Sequence, residues 1–259
     1  MDNHLFSRYA DAIHATRLET ITRAADIPAT FLLGQDGALT SHYIPFDVVN
    51  PAAKVVLVGI TPGFTQWKNA MVEAQRQLQA GASPETARLA AKHTGAFSGA
   101  MRPNLISLLD SIGLQRWLKI SSCAALFETH ASLVQTTSIL RHPIFVTGEN
   151  YNGTPNMVKT PFLQRQLLEH FAQEAAQLAN PIYIPLGPKV SEGLRWLAKQ
   201  GVLKEDRILH GLPHPSGANA ERIAYFLGRK DRSALSAKTN ATQLDALRDA
   251  LVLHVQKLA

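Results

Sequence analysis

Two short loops far apart in the sequence combine small residues with side chains that can do chemistry. The first is Gly59-Ile60-Thr61-Pro62-Gly63, and the second is His214-Pro215-Ser216-Gly217-Ala218-Asn219. Glycines let a ligand come close to the backbone. A histidine can donate a hydrogen bond to negative charge that develops on a departing group. We therefore treat both loops as candidate binding and catalytic segments.

The patterns around the loops predict the elements that position them. Residues 54–58 form a Val-rich run that is typical of a buried parallel strand. Alternating strands and helices predict an α/β protein with three α/β/α layers and a central, mainly parallel sheet. Ligands of such folds bind beyond the carboxyl ends of the strands, where both loops are expected. Further strands are predicted over residues 132–140 and 181–186, and helices over about 4–24, 66–93, 102–119, 162–179, 189–199, 219–228 and 241–257.

Local turn signals refine these elements. The helical stretch 66–93 should be interrupted at 81–85, where Ser83 can cap a second helix that begins at Pro84. A break near Gly113 and a hairpin turn at residues 35–37 are also predicted, and residues 147–161 are predicted to be a polar loop. We expect one domain over residues 1–259, with a helical extension over about 1–30 and a helical insertion over about 64–96.

Composition narrows the class of protein. The chain has 259 residues and a formal net charge of +6, which favours contact with a polyanion but is explained about as well by solubility alone. No apolar run reaches the roughly 18 residues of a membrane span, and the N-terminus lacks the features of a signal peptide, so we expect a cytoplasmic protein. Cys123 is the single cysteine and is expected to be a buried structural thiol. One cysteine excludes a disulfide framework or a four-cysteine cluster, and no His and acidic residues show metal-ligand spacing, so no cofactor or metal is expected.

Four segments, in order, resemble the motifs of the uracil-DNA glycosylase superfamily. Residues 59–63 are similar to its Gly-Ile-Asn-Pro-Gly or Gly-Glu-Ala-Pro-Gly first motif, and residues 214–217 to its His-Pro-Ser-Pro or Asn-Pro-Ser-Gly second motif. Ala96-Phe97-Ser98-Gly99 is similar to the loop whose Phe stacks on the flipped base, and residues 137–143 look like the strand end that carries a base-reading Asn. Together with a similar strand-to-helix turn at residues 186–190, the matches cover roughly residues 54–228.

The resemblance implies a DNA glycosylase, which flips a base out of the stack and hydrolyses its N-glycosidic bond through an oxocarbenium-like sugar. The expected substrate is uracil or another deaminated base in single-stranded or mismatched DNA, and the expected process is base excision in DNA repair by a monomer. His214 would stabilise the departing base, and Thr61 with the neighbouring backbone would hold the water. The resemblance assigns base contacts to Gly59, Ile60, Pro62, Gly63, Phe97 and Ser138, and DNA contacts to Ser216, Gly217, Ala218 and Asn219. The structural alternatives are a helix-capping role for His214 and a core position for Phe97.

The chain departs from the family at the residue that activates water. The first motif usually carries Asp or Asn at its third place or Glu at its second, but here these places hold Thr61 and Ile60. Threonine can hydrogen-bond a water but cannot act as a base near neutral pH. Ser138 lies nearest the expected Asn, with Thr136 and Thr137 as rivals. Candidates for a substitute polar residue are Gln66, Asn69, Glu73, His93, Arg141 and His142.

Two other functions are alternatives to base excision. The chain could be a non-catalytic nucleic-acid or nucleobase binding module of the same fold, because Thr61 lacks a carboxylate. It could also hydrolyse free nucleosides or nucleotides, although its basic balance favours a polyanionic partner.

Overall fold

The structure is a computed structural model that describes residues 3–95 and 101–258. The strands within this part are β1 (Leu32–Asp36), β2 (Leu39–His42), β3 (Val55–Gly59), β4 (Val134–Ser138), β5 (Ile144–Val146), β6 (Glu149–Asn150) and β7 (Ile182–Pro185). The α-helices are α1 (Asn3–Ala15), α2 (Phe64–Gln79), α3 (Pro84–Gly95), α4 (Met101–Ser111), α5 (Leu114–Leu118), α6 (Pro161–Gln166), α7 (Ala172–Ala175), α8 (Pro188–Lys199), α9 (Ala220–Phe226) and α10 (Ala241–Gln256).

The described residues divide into two compact units, each assembled from three separate stretches of chain. Unit 1 comprises the described residues of Met1–Val49, Ile60–Ala96 and Thr137–Gln177. Unit 2 comprises those of Asn50–Gly59, Phe97–Thr136 and Leu178–Ala259. The expectation of one domain over residues 1–259 stays a prediction.

Unit 2 is built on the sheet β4-β3-β7. Strands β3 and β7 pair in parallel, from Val55 opposite Ile182 to Val58 opposite Pro185. Alternate side chains of both strands pack against apolar side chains of α4, α5, α9 and α10. All four residues 55–58 are fully buried, as a parallel strand requires. The predicted α/β class, with a mainly parallel sheet and helices around it, is confirmed, and the arrangement is consistent with three α/β/α layers.

Unit 1 contains a second sheet, of order β1-β2-β5-β6, in which neighbouring strands are antiparallel. The hairpin turn between β1 and β2 is confirmed, with Gly37 at a φ of 56°, a conformation that favours glycine. Strand β6 lies inside the stretch that was predicted to be a polar loop. The core of this unit is rich in aromatic side chains, including Phe31, Tyr43 and Trp67.

The local helix signals are confirmed. The Ser83 Oγ accepts a hydrogen bond from the Thr86 N–H at 3.2 Å, so it caps α3. Gly113 separates α4 from α5 with a φ of 81°. The helix predicted over residues 162–179 is present, but a π-helical turn at Leu167–Phe171 interrupts it between α6 and α7. Cys123 is buried, as predicted. Within the described residues, every helix is too short or too polar to cross a membrane.

Candidate functional site

The first loop follows β3 and is held at its far end by side chains. Gly59 is the last residue of β3 in unit 2, and residues 60–63 belong to unit 1. The Gly63 N–H donates to Gln66 Oε1 at 2.9 Å, and the Phe64 N–H donates to Asn150 Oδ1 at 2.8 Å. A Cβ on Gly63 would lie 3.3 Å from the same Asn150 oxygen. The position therefore suits glycine, and Gln66 acts as a cap of α2.

Thr61 uses its hydroxyl to join two pieces of backbone. Its Oγ1 donates to the His142 carbonyl at 3.0 Å and accepts from the Ile144 N–H at 3.1 Å. The Leu140 N–H donates to the Ile60 carbonyl at 3.0 Å, so the loop is also tied to the same segment by backbone. A hydroxyl has one proton and two lone pairs. Thr61 therefore retains one lone pair, and it can only accept a hydrogen bond from a water.

The end of β4 and the residues that follow it, predicted to read the base, are occupied by internal contacts. Thr137 Oγ1 donates to Glu174 Oε2 at 2.9 Å, and Arg141 Nε lies 3.5 Å from the same oxygen. Ser138 is partly buried at the end of β4. His142 is buried, and burial keeps its pKa well below the usual range. Thr136 lies in unit 2, whereas Thr137 and Ser138 lie in unit 1.

The polar residues of the helical insertion lie mostly on solvated faces. Glu73 forms an ion pair with Arg76 at 2.7 Å, and this hydrogen bonding lowers its pKa to about 2. Asn69 and His93 are exposed. Phe97, the predicted stacking residue, lies outside the described residues.

The second loop lies in unit 2, close to the end of β7. The Leu209 N–H donates to the Tyr183 carbonyl at 2.9 Å, so the chain runs beside β7 before it reaches His214. The Asn104 side chain of α4 donates to the Pro215 carbonyl at 3.0 Å. The loop is thus held from two sides by elements of its own unit.

The imidazole of His214 has a defined hydrogen-bonding state. Its Nδ1 accepts from the Ser216 N–H at 3.2 Å. A neutral imidazole whose Nδ1 accepts must carry its proton on Nε2. His214 is partly buried, and burial lowers its pKa, which favours the neutral ring near neutral pH. His214 therefore presents an Nε2–H donor.

Gly187, at the turn between β7 and α8, packs directly on this ring. Its φ is 101°, and a Cβ there would lie 3.3 Å from His214 Cδ2. Only glycine adopts such a backbone without strain. The sequence signal was present, because Gly187-Pro188 ends a strand and begins a helix, but the contact with His214 was not predicted.

The predicted DNA-contact residues form a surface turn. Gly217 and Ala218 are exposed. Asn219 donates from Nδ2 to Ser216 Oγ at 3.3 Å and accepts at Oδ1 from Arg222 Nη1 at 3.0 Å. The turn is therefore internally bonded while its two smallest residues face solvent.

Metal ligation has no support in the described ranges. Across residues 3–95 and 101–258, no three His, Cys, Asp or Glu side chains are grouped to hold a metal ion. The second loop can donate a hydrogen bond from His214. The first loop places the Thr61 hydroxyl between two glycines.

Comparison with known proteins identifies a relative. No family model and no solved structure matches the chain. Uncharacterized protein YoxB of Bacillus subtilis (strain 168) is 33% identical over 240 residues, which cover 92% of this chain and 93% of that protein. Identity at this level over nearly the full length of both chains shows common descent. The chain therefore belongs to the same family as YoxB.

Proposed function

We propose that the protein is a DNA glycosylase that hydrolyses the N-glycosidic bond of uracil or another deaminated base in DNA. One observation carries the proposal: His214 has its Nδ1 occupied by the Ser216 N–H at 3.2 Å. The ring therefore has its remaining donor, Nε2–H, fixed in direction by the loop itself. The order of the motifs along the chain supports the same reaction class.

His214 would act on the departing base. When the bond between the sugar C1′ and the base N1 breaks, the bonding electrons stay with the base and spread onto its carbonyl oxygen. A preset N–H donor stabilises that charge, and removal of one such donor typically costs about 10²–10³-fold in rate. The lowered pKa of His214 suits this role, because the ring needs no proton exchange with solvent before it donates.

Water would attack C1′ and, as the new C–O bond forms, lose one proton to bulk water, from which the departing base anion would be protonated. Thr61 has one lone pair left for that water, since its proton and its other lone pair serve backbone groups. Without a general base the rate is expected to be about 10²–10⁴-fold below that of an enzyme that has one. The proposed enzyme is therefore slow.

DNA is the proposed partner, and the exposed turn at Gly217 and Ala218 is the proposed contact beside the flipped base. The formal charge of +6 supports binding to phosphates. A monomeric, cytoplasmic protein of DNA repair is the corresponding biological proposal.

The test is release of uracil from oligonucleotides by an excess of the purified protein. Single-stranded, U·A and U·G substrates are compared for abasic product. Wild type should cut at least one of them, and His214→Ala should be about 10²-fold slower. His14→Ala, which changes an exposed histidine of α1, should be unchanged. Absence of abasic product from wild type on all three substrates would refute the proposal for uracil.

A second candidate function, a non-catalytic nucleic-acid or nucleobase binding module, is favoured by the contacts of Thr61. Its hydroxyl bridges backbone groups of the neighbouring segment, which is a structural use of the side chain. Binding to DNA with a steep salt dependence and no base release would select this function.

A further inference from the structure

Unit 1 contains a group of buried charged side chains that belong to neither of the two candidate loops. We call it the cationic cluster and define it as Arg88 and Lys92 of α3 with Arg141, together with the carboxyl groups of Asp47 and Glu174. Lys92 is 8% exposed and Glu174 1% exposed. Charged groups are rarely buried to this extent unless they are paired. The pairing within the cluster therefore decides what it can bind.

The three basic side chains converge on one short stretch of backbone. Arg141 Nη2 donates to the carbonyl of residue 46 at 3.3 Å, Arg88 Nη1 to that of residue 47 at 3.1 Å, and Lys92 Nζ to that of residue 48. Three cationic groups thus meet around residues 46–48. Carbonyl oxygens satisfy donors but carry no full negative charge, so these bonds do not balance the charge.

The two carboxyl groups balance it only in part. Asp47 accepts from the Tyr43 hydroxyl at 2.9 Å, and burial raises its pKa despite the nearby cations. Glu174 accepts from Thr137 at 2.9 Å. Burial and the neighbouring guanidinium groups hold the pKa of Lys92 at about 8. Three basic side chains therefore face two acidic side chains.

Two buried guanidinium nitrogens in this cluster lack a hydrogen bond. Among the described residues, Arg88 Nε and Arg141 Nε have no hydrogen-bond partner. The Arg141 side chain is 10% exposed, and its 3.5 Å approach to Glu174 is an ion pair that is longer than a good charge-assisted hydrogen bond. Buried donors of this kind are normally satisfied. Arg88 is only partly buried, so one edge of the cluster reaches solvent.

We propose that the cationic cluster is a binding site for a phosphate group, held by Arg88, Lys92 and Arg141. A guanidinium fork matches two phosphate oxygens, and an ammonium adds a compact charge. A phosphate offers acceptors to several donors at once, whereas a carboxylate offers only two oxygens. The phosphate could be free, part of a mononucleotide, or the end of a DNA strand. The inference does not depend on base excision, because it concerns a charge imbalance within unit 1.

The first experiment is calorimetric titration of the full-length wild-type protein with inorganic phosphate, at an ionic strength kept constant with chloride. We expect saturable binding, and we expect Arg141→Gln and Arg88→Gln each to weaken it at least about tenfold, as for loss of a charged hydrogen bond. Arg76→Gln is the matched control, because Arg76 is an exposed arginine of the same unit that is paired with Glu73. It should bind as wild type does.

Further arms identify the source of the phosphate and keep the test decisive. Acetate replaces phosphate in one arm, a deoxynucleoside monophosphate in another, and 5′-phosphorylated and 5′-hydroxyl oligonucleotides are compared in a third. Tighter binding of the phosphorylated strand assigns a DNA end, and equal binding of phosphate and mononucleotide assigns a free ligand; both support the site. The proposal is overturned if wild type shows no saturable binding of phosphate, if acetate binds equally well, or if Arg76→Gln loses binding as the cluster variants do. Phosphate binding by folded Arg141→Gln and Arg88→Gln as tight as that of wild type also overturns it, and the wild-type titrations can still overturn it if a cluster variant fails to fold.

Discussion

The polar side chains of the two loops form opposite kinds of hydrogen bonds with the backbone. His214 accepts a hydrogen bond at Nδ1 from the neighbouring Ser216 N–H, which leaves its Nε2–H donor for a ligand. The Thr61 hydroxyl donates its proton to the His142 carbonyl and accepts from the Ile144 N–H with one lone pair. In the second loop the backbone orients a side chain, whereas in the first loop a side chain supports the backbone. Motif similarity alone therefore does not tell which residue of a loop is available for chemistry.

The residues around His214 and Thr61 differ in the same way. His214 lies against Gly187, whose missing side chain leaves room for the ring. Thr61 is tied to a segment that leads into β5. Perturbing the first contact should therefore affect the reaction, and perturbing the second should mainly affect stability.

The largest effect is expected from Gly187→Ala. The added Cβ would lie 3.3 Å from His214 Cδ2 at a φ of 101°. We expect a loss of about 1–3 kcal/mol in the free energy of unfolding from backbone strain and a fall of about 10²-fold in the rate of uracil release from displacement of the ring. Denaturant unfolding and single-turnover excision measure the two.

The matched control for this change is Gly81→Ala. Gly81 has a φ of 78°, and a Cβ there would meet no other described atom within 4 Å. This variant should lose about 1–2 kcal/mol of the free energy of unfolding through backbone strain alone. Its rate of uracil release should be unchanged. An equal loss of excision in both variants would contradict the contact between Gly187 and the working position of His214.

A smaller effect is expected from Thr61→Val. The change leaves the His142 carbonyl and the Ile144 N–H without their partner, and unpaired buried groups cost about 1–3 kcal/mol. Thr61→Ser keeps the hydroxyl and should recover most of that stability. Thermal and denaturant unfolding of the two variants measure the difference. If both variants are as stable as wild type, the hydroxyl does not support the loop and the contrast with His214 fails.

The smallest effect concerns pH. Burial lowers the pKa of folded His214 below the ordinary value of 6.5, so the unfolded chain takes up the proton first. The neutral ring of His214 contributes its full stability at pH values above the ordinary pKa of 6.5. This contribution is lost as the pH falls through the folded-state pKa. His214→Gln should make the free energy of unfolding fall less steeply in this window, by less than about 1.4 kcal/mol per pH unit.

Thr61→Ser is the control for that slope, because a hydroxyl does not titrate there. The other buried histidines are present in wild type and in both variants, so their contributions cancel. Identical slopes for wild type and His214→Gln, measured by denaturant unfolding across the pH series, would show that folding does not favour the neutral ring.

Local signals made much of the fold predictable. The Val-rich run 55–58, the Ser83 cap of α3 and the break at Gly113 are each encoded within a few residues, and each is present in the structure. The antiparallel sheet was only partly predictable. Strands β5 and β6 have three and two residues, which is too short for an alternating pattern to appear.

The candidate site was predictable in its positions but not in its contacts. The small residues around His214 marked a tight loop. The partners of Thr61 come from more than 80 positions away, and the backbone contacts of the cationic cluster join residues that are 41, 44 and 95 positions apart. Such pairings depend on tertiary packing, which no local pattern in one sequence reports.

The most direct test of the account is the protonation state of His214. Heteronuclear NMR of histidine side chains labelled with nitrogen-15, with the His214 signals assigned by comparison with His214→Gln, distinguishes the two ring nitrogens. We predict a neutral ring near neutral pH, with the proton on Nε2 and none on Nδ1. A proton on Nδ1, whether in the other neutral form or in a charged imidazolium, would contradict it.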